Sequence, residues 1–145
     1  MKKLFLFLLI ISTATFTAMA QNSDAVLGIW LNAEKDAKIQ IYKNGNSYFG
    51  KIVWNKNVYE PDGVTPRKDS KNPDPKLSTR NINGLVILTQ FKYEDEEWVD
   101  GKIYDPKSGK TYSSNMKLDG TKLDIRGYVG VSLFGRTTSW TRSSL

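Results

Sequence analysis

The sequence predicts an all-β domain, a small eight-stranded antiparallel up-and-down barrel with one long loop. Three observations carry that prediction. Tyr112, Ser114, Met116 and Leu118 alternate with Thr111, Ser113, Asn115 and Lys117, the period-two pattern of a half-buried strand. Turn clusters punctuate such runs at short spacing, and Asp119-Gly120 is the strongest hairpin signal among them. No helical period of any length follows residue 20. Eight short strands in one domain favour closure, because a closed sheet has no exposed edge. A two-sheet sandwich is the alternative.

The first twenty residues stand apart from the fold. Lys2 and Lys3 precede an unbroken apolar run from Leu4 to Ile11, and Ala18-Met19-Ala20 is a small-x-small cleavage site. These are the three parts of a signal peptide, residues 1–20, with a mature start at Gln21. The apolar run is shorter than the about 20 residues that a membrane span needs, so no stable span is expected after cleavage. The expected location is the periplasm or the cell surface. The remaining residues 21–145 form one domain, large enough for a core of its own.

Asp24 to Leu27 reads as a short helical turn leading into strand one, Gly28 to Asn32. Lys38 to Lys43 is strand two, with Ile39 and Ile41 on one face. Asn44-Gly45-Asn46 turns the chain, since Asn and Gly tolerate positive φ. Ser47 to Trp54 is strand three. Its apolar residues fall on both faces, which predicts a strand covered on both sides or capped by a loop. Asn55 to Gly84 is a long charged connection with four of the five prolines, and those prolines exclude a central strand. A connection of this length is functional or disordered. The part from Asp69 to Arg80 is expected to fold back over one barrel mouth. Strand four resumes near Leu85. An acidic turn, Glu94 to Glu97, precedes Trp98. The meander then runs through the Asp105-Pro106-Lys107-Ser108-Gly109 turn, the Asp119-Gly120 hairpin and a glycine-rich loop to the last strand.

Composition excludes several chemistries. The chain has no Cys and no His. It therefore lacks Ser-His-Asp and Cys-His nucleophile systems, His/Cys zinc sites and the usual general base near neutral pH. An enzyme would have to rely on paired carboxylates such as Asp74 and Asp105, and nothing in the sequence fixes their separation. No catalytic residue, cofactor or metal is assigned. The net charge of +6 falls to +4 once Lys2 and Lys3 are removed. Solubility alone accounts for that value, and an anionic ligand or envelope surface is compatible with it. An exported protein is not expected to meet nucleic acid.

Two constellations remain. Asp69, Asn72 and Asp74 place three oxygen-bearing side chains within six residues. Their spacing is not that of a calcium loop, and turn chemistry explains them. Arg80, Arg126 and Arg136, with Tyr104 and Tyr128, are the candidate ligand-binding residues, because guanidinium groups grip carboxylates and phosphates bidentately. The competing reading pairs those arginines internally with Asp69, Asp74, Asp105 or Asp124, since buried charges are normally paired. Trp30, Trp140 and Asp105 join Asp69, Asn72 and Asp74 as structural or loop-pinning residues.

Gly28-Ile29-Trp30 at the start of strand one, with Arg136 and Arg142 on the last strand, resembles the calycin barrels, the lipocalins and fatty-acid-binding proteins. That resemblance implies an indole closing one barrel end under a stacked guanidinium. A closer likeness runs through Tyr48-Phe49-Gly50-Lys51-Ile52-Val53-Trp54, Lys71-Asn72-Pro73-Asp74-Pro75, Gly84-Leu85-Val86-Ile87-Leu88, Gly101-Lys102-Ile103-Tyr104-Asp105-Pro106 and Arg126-Gly127-Tyr128-Val129-Gly130 to Phe134-Gly135-Arg136. By these segments the chain resembles the bacterial exported family named domain of unknown function 2147. The likeness implies a small exported β domain and brings no activity. Family members often show Arg-Ser-Arg where this chain has Ser78-Thr79-Arg80. The functional expectation is noncatalytic binding of a small amphipathic or anionic envelope molecule. The alternative is a structural or protein-interaction module with a filled interior. A cavity above about 300 Å³ with an arginine in it favours the first.

Overall fold

The computed structural model describes residues 22–145, so the expected signal peptide lies outside the described residues. Eight antiparallel strands form one closed barrel. They are β1 (Gly28–Leu31), β2 (Ala37–Asn44), β3 (Ser47–Asn55), β4 (Val86–Glu94), β5 (Glu97–Asp105), β6 (Lys110–Asp119), β7 (Lys122–Tyr128) and β8 (Arg136–Ser143). Each strand pairs with its sequence neighbours, and β8 closes on β1 through Ile29–Ser143, Trp30–Arg142 and Leu31–Thr141. Closure eliminates the sandwich. Two 3-10 turns, Ser23–Val26 and Ser132–Phe134, are the helical elements among the described residues. No described helix is long and apolar enough to cross a membrane.

The up-and-down order sorts the connections between two ends. The tight turns after β2, β4 and β6 share one end with the 3-10 turn at Ser23–Val26. The connections after β1, β3, β5 and β7 share the other, including the long segment between Asn55 and Val86. We call these the closed and open ends.

Alternation places one residue in two inside. Trp30, Ile39, Ile41, Tyr48, Leu88, Phe91, Trp98, Met116, Leu123 and Ile125 are buried there. The closed end is filled without slack. A Cβ added to Gly101 would lie 2.4 Å from the Phe91 ring, and one added to Gly50 would lie 2.7 Å from Leu88. Here glycine makes room for its cross-strand neighbour.

The two-sided apolar pattern of β3 has a different cause from the covering layer expected. Tyr48, Gly50 and Ile52 point inward. Outside, Phe49 stacks on Tyr42 with ring centroids 5.9 Å apart, and Lys51 lies 5.7 Å from the Tyr42 ring. A bulge between Lys38 and Ile39 shifts the register beside Trp54, which Lys38 partly covers. Cross-strand aromatic and cation–π pairs thus shield the outer face.

Candidate ligand site at the open end

The site is defined by where filling stops. At the closed end the 3-10 turn Ser23–Val26 is a plug whose backbone is held by side chains from three strands. Trp30 Nε1 donates to the Val26 carbonyl at 2.9 Å, and Trp98 Nε1 donates to the Ser23 carbonyl at 3.1 Å. Arg142 donates to the carbonyls of Leu27 and Ala25. Its guanidinium lies 4.2 Å from the Trp30 ring. The Asp24 carboxylate accepts from Tyr48 Oη at 2.8 Å and Lys43 Nζ at 3.1 Å. Those two bonds, Tyr48 first, hold the Asp24 carboxyl below its ordinary value.

The open half encloses a cavity of about 640 Å³. Its apolar part is made by Ile39, Ile52, Ile87, Ile103, Ile125 and Trp140, with Tyr112 beside them. Most of these are the inward residues of their strands lying beyond the aromatic plug. Toward the mouth the lining turns polar, with Asn55, Lys71, Tyr104, Lys107, Arg136 and Thr138. Two of the cations there are already engaged. Lys107 Nζ lies 2.7 Å from Asp36, and Arg67 lies 3.9 Å from Glu60. Burial opposes ionisation of Asp36, but hydrogen bonds from Lys107 and Asn32 outweigh it and keep that carboxyl below its ordinary value. Arg136 differs. It is inward by strand parity with Thr138 and Trp140, and its side chain makes no hydrogen bond or ion pair with another described residue. The buried Asn55 Nδ2 also has no hydrogen-bond partner.

The long connection is built on a buried carboxylate. Asp69 is fully buried. Its Oδ2 accepts from Arg80 Nε and Nη2, both at 3.1 Å, and from Asn72 Nδ2 at 2.9 Å. Its Oδ1 accepts from Tyr104 Oη at 2.6 Å. The Asp69 amide donates to the Arg80 carbonyl at 2.9 Å, and Lys68 and Asn81 form a bridge beside it. Desolvation, followed by the bond to Asp69, pushes the Tyr104 phenol up to about 12. Segment 69–80 is thereby tied to β5. Its other tie is Gly109, where a Cβ would lie 1.9 Å from the Lys71 carbonyl and φ is +72°. Only glycine accepts both that approach and that backbone.

The candidate residues therefore divide. Arg136 and Tyr104 line the cavity. Arg80 is paired with Asp69. Arg126 lies on the outer face, donating to the Ser132 and Leu133 carbonyls at 2.7 and 3.0 Å and to Thr137 Oγ1 at 2.9 Å. Tyr128 ends β7 and is not a lining residue. Asn72 bridges Asp69 and Tyr104. Asp74 accepts from the Lys76 amide, and Asp105 accepts from the Lys107 amide and Ser108 Oγ; both serve their own turns. Trp140 is buried at the cavity wall, and Trp30 lies in the closed end. The isoleucines, Tyr112, Lys71 and Asn55 are not among the ligand-binding residues expected from the sequence. Strand parity marks most of the isoleucines as inward, but depth along the barrel depends on register.

No curated protein matches the chain. Among solved structures it is similar to protein HP1028 from the human pathogen Helicobacter pylori, described as belonging to the lipocalin family. The two share 25% sequence identity with a TM-score of 0.70, over 81% of this chain and 82% of that one. The match agrees with the closed eight-stranded barrel. Residues 28–142 match the family described as "Uncharacterized protein conserved in bacteria (DUF2147)", and with that span covering the whole barrel from β1 into β8, the chain belongs to the DUF2147 family.

Proposed function

We propose that this chain is an exported, noncatalytic binding protein that takes one amphipathic molecule into the open half of the barrel. The apolar part of the ligand lies among Ile39, Ile52, Ile87, Ile103 and Ile125, and its anionic group meets Arg136. The observation that carries this reading is the unpaired Arg136 guanidinium on a cavity of about 640 Å³ whose inner wall is apolar. Such a cavity is within the size range of small-molecule sites, and a guanidinium is suited to a carboxylate or phosphate. The lipocalin-family likeness supports a ligand held inside a barrel, and the leader expected from the sequence at residues 1–20 supports export. A filled interaction module is less well supported, because only the closed half is filled.

The test compares an anionic and an uncharged amphipath, 1-anilinonaphthalene-8-sulfonate and N-phenyl-1-naphthylamine, by titration calorimetry. Arg136→Gln is expected to weaken the sulfonate about tenfold, the scale of one lost charge-assisted contact, and to leave the uncharged probe unchanged. Thr138→Trp, which puts a bulky ring into the cavity, is expected to weaken both. If neither probe binds the wild-type protein, the reading is wrong.

A further inference from the structure

The connection between β7 and β8 is ordered in an unusual way. Val129, Val131, Leu133 and Phe134 are 77, 57, 79 and 82% exposed. None of them packs into the barrel core. The loop is instead held through its backbone. Arg126 on β7 gathers the carbonyls of Ser132 and Leu133 with two guanidinium nitrogens and reaches Thr137 with a third. Gly135 lets the loop lie against β7, since a Cβ there would stand 2.8 Å from the Gly127 carbonyl. A loop that buries its apolar side chains gains stability from them. This one is fixed by polar contacts while its apolar side chains face outward.

We propose that this loop is a membrane-docking tip, with Val131, Leu133 and Phe134 entering the interfacial layer of an anionic bilayer. Three features of the molecule favour a lipid surface over a protein. The apolar residues sit on a 3-10 turn of three residues and its flanks, a projecting tip. Four side chains also fall short of the roughly 800 Å² per partner that a stable protein interface buries. Charge completes the case. Arg126 and Arg136 flank the tip, and residues 125–141 contain no Asp or Glu. Apolar side chains beside uncompensated cations are the combination that binds anionic interfaces. Because the loop leads directly into Arg136 at the cavity mouth, docking would bring the mouth to the lipid surface. The proposal holds whether or not the cavity takes a ligand.

The test uses the mature chain, residues 21–145, in flotation with two vesicle types. One contains phosphatidylethanolamine with phosphatidylglycerol, and the other contains phosphatidylcholine alone. The wild-type protein is expected to float with the anionic vesicles and to bind them several-fold less at high salt. The double variant Leu133→Ser, Phe134→Ser is expected to lose about tenfold or more in partitioning, with an unchanged melting temperature because both side chains are exposed. Absence of flotation with anionic vesicles, or equal flotation of the double variant, would overturn the proposal. Sedimentation velocity covers the other occupant. A concentration-dependent dimer that the double variant abolishes would assign the tip to a second copy of the chain and would equally overturn it.

Discussion

The two ends of this barrel use the same side-chain types for opposite purposes. At the closed end an arginine, Arg142, stacks on Trp30 and donates to two carbonyls of the N-terminal turn. At the open end an arginine on the same strand and of the same parity, Arg136, has no described partner. At the closed end tyrosine fills space as well as bonding Asp24: Tyr48 is buried against Trp98, with ring centroids 6.2 Å apart. At the open end Tyr104 ties down a loop through its hydroxyl. The comparison teaches that cohesion and accessibility divide along the barrel axis. The plug supplies packing, while the open half is held by a few polar ties around an unfilled space.

Three measurements can break or sharpen that contrast. The largest effect is expected at the plug. Trp30→Ala removes a fully buried indole, its bond to Val26 and the seat of Arg142, and should cost roughly 3–5 kcal/mol in denaturant unfolding. An unchanged midpoint would remove the distinction between the ends. Next comes the buried carboxylate of the loop. Asp69→Ala strands Arg80, Asn72 and Tyr104, and breaking such a pair should cost about 3 kcal/mol. The loss should be local as well as global, with early tryptic cleavage at Lys71, Lys76 or Arg80 in the otherwise folded variant. Equal protease resistance in variant and wild type would show that Asp69 does not hold the segment.

The smallest effect is a matter of pH. Tyr104 is raised from 10.0 to about 12 in the folded protein. The unfolded chain therefore loses this proton first as pH rises. The contribution to stability is whole below pH 10 and is lost between about 10 and 12. Tyr93 is also raised, by burial first, so the readout is the difference between proteins: in an absorbance titration near 295 nm a late-ionising phenol of the wild type should move to lower pH in Asp69→Asn, where the anionic neighbour is gone. Identical titrations of wild type and Asp69→Asn would mean that the Asp69–Tyr104 tie is not made in solution.

Much of the architecture was legible in the sequence because it depends on local rules. Period-two alternation and the Asp119-Gly120 turn give the β6–β7 hairpin, where Leu118 pairs with Leu123. Gly28-Ile29-Trp30 pointed to a closed barrel end. The choice between Arg136 and Arg142 as its partner was not legible, because both share one parity. Register decides it: Arg142 lies opposite Trp30. Arg136, six residues earlier, is about 20 Å away along the strand. The fates of Arg80 and Arg126 were hidden for a similar reason. Each is settled by a contact outside its strand pattern, with Asp69 in one case and with the Ser132–Leu133 carbonyls in the other. The emptiness of the open half left no local trace, since inward isoleucines look alike whether they meet other side chains or a cavity.

The seam between β1 and β8 bears on how the protein can be handled. Because Ile29 pairs with Ser143, the entry and exit of the barrel's chain lie side by side, on the side of the plug. A fused reporter, an affinity tag or a chemical tether joined at Asn22 or beyond β8 would hang from the sealed base and leave the opposite rim unobstructed. Immobilised by its tail on a sensor chip, the barrel would stand with its mouth toward the solution. The same adjacency makes the sequence a candidate for circular permutation, with a short linker joining old ends and new ones opened at the exposed Asp119-Gly120 turn.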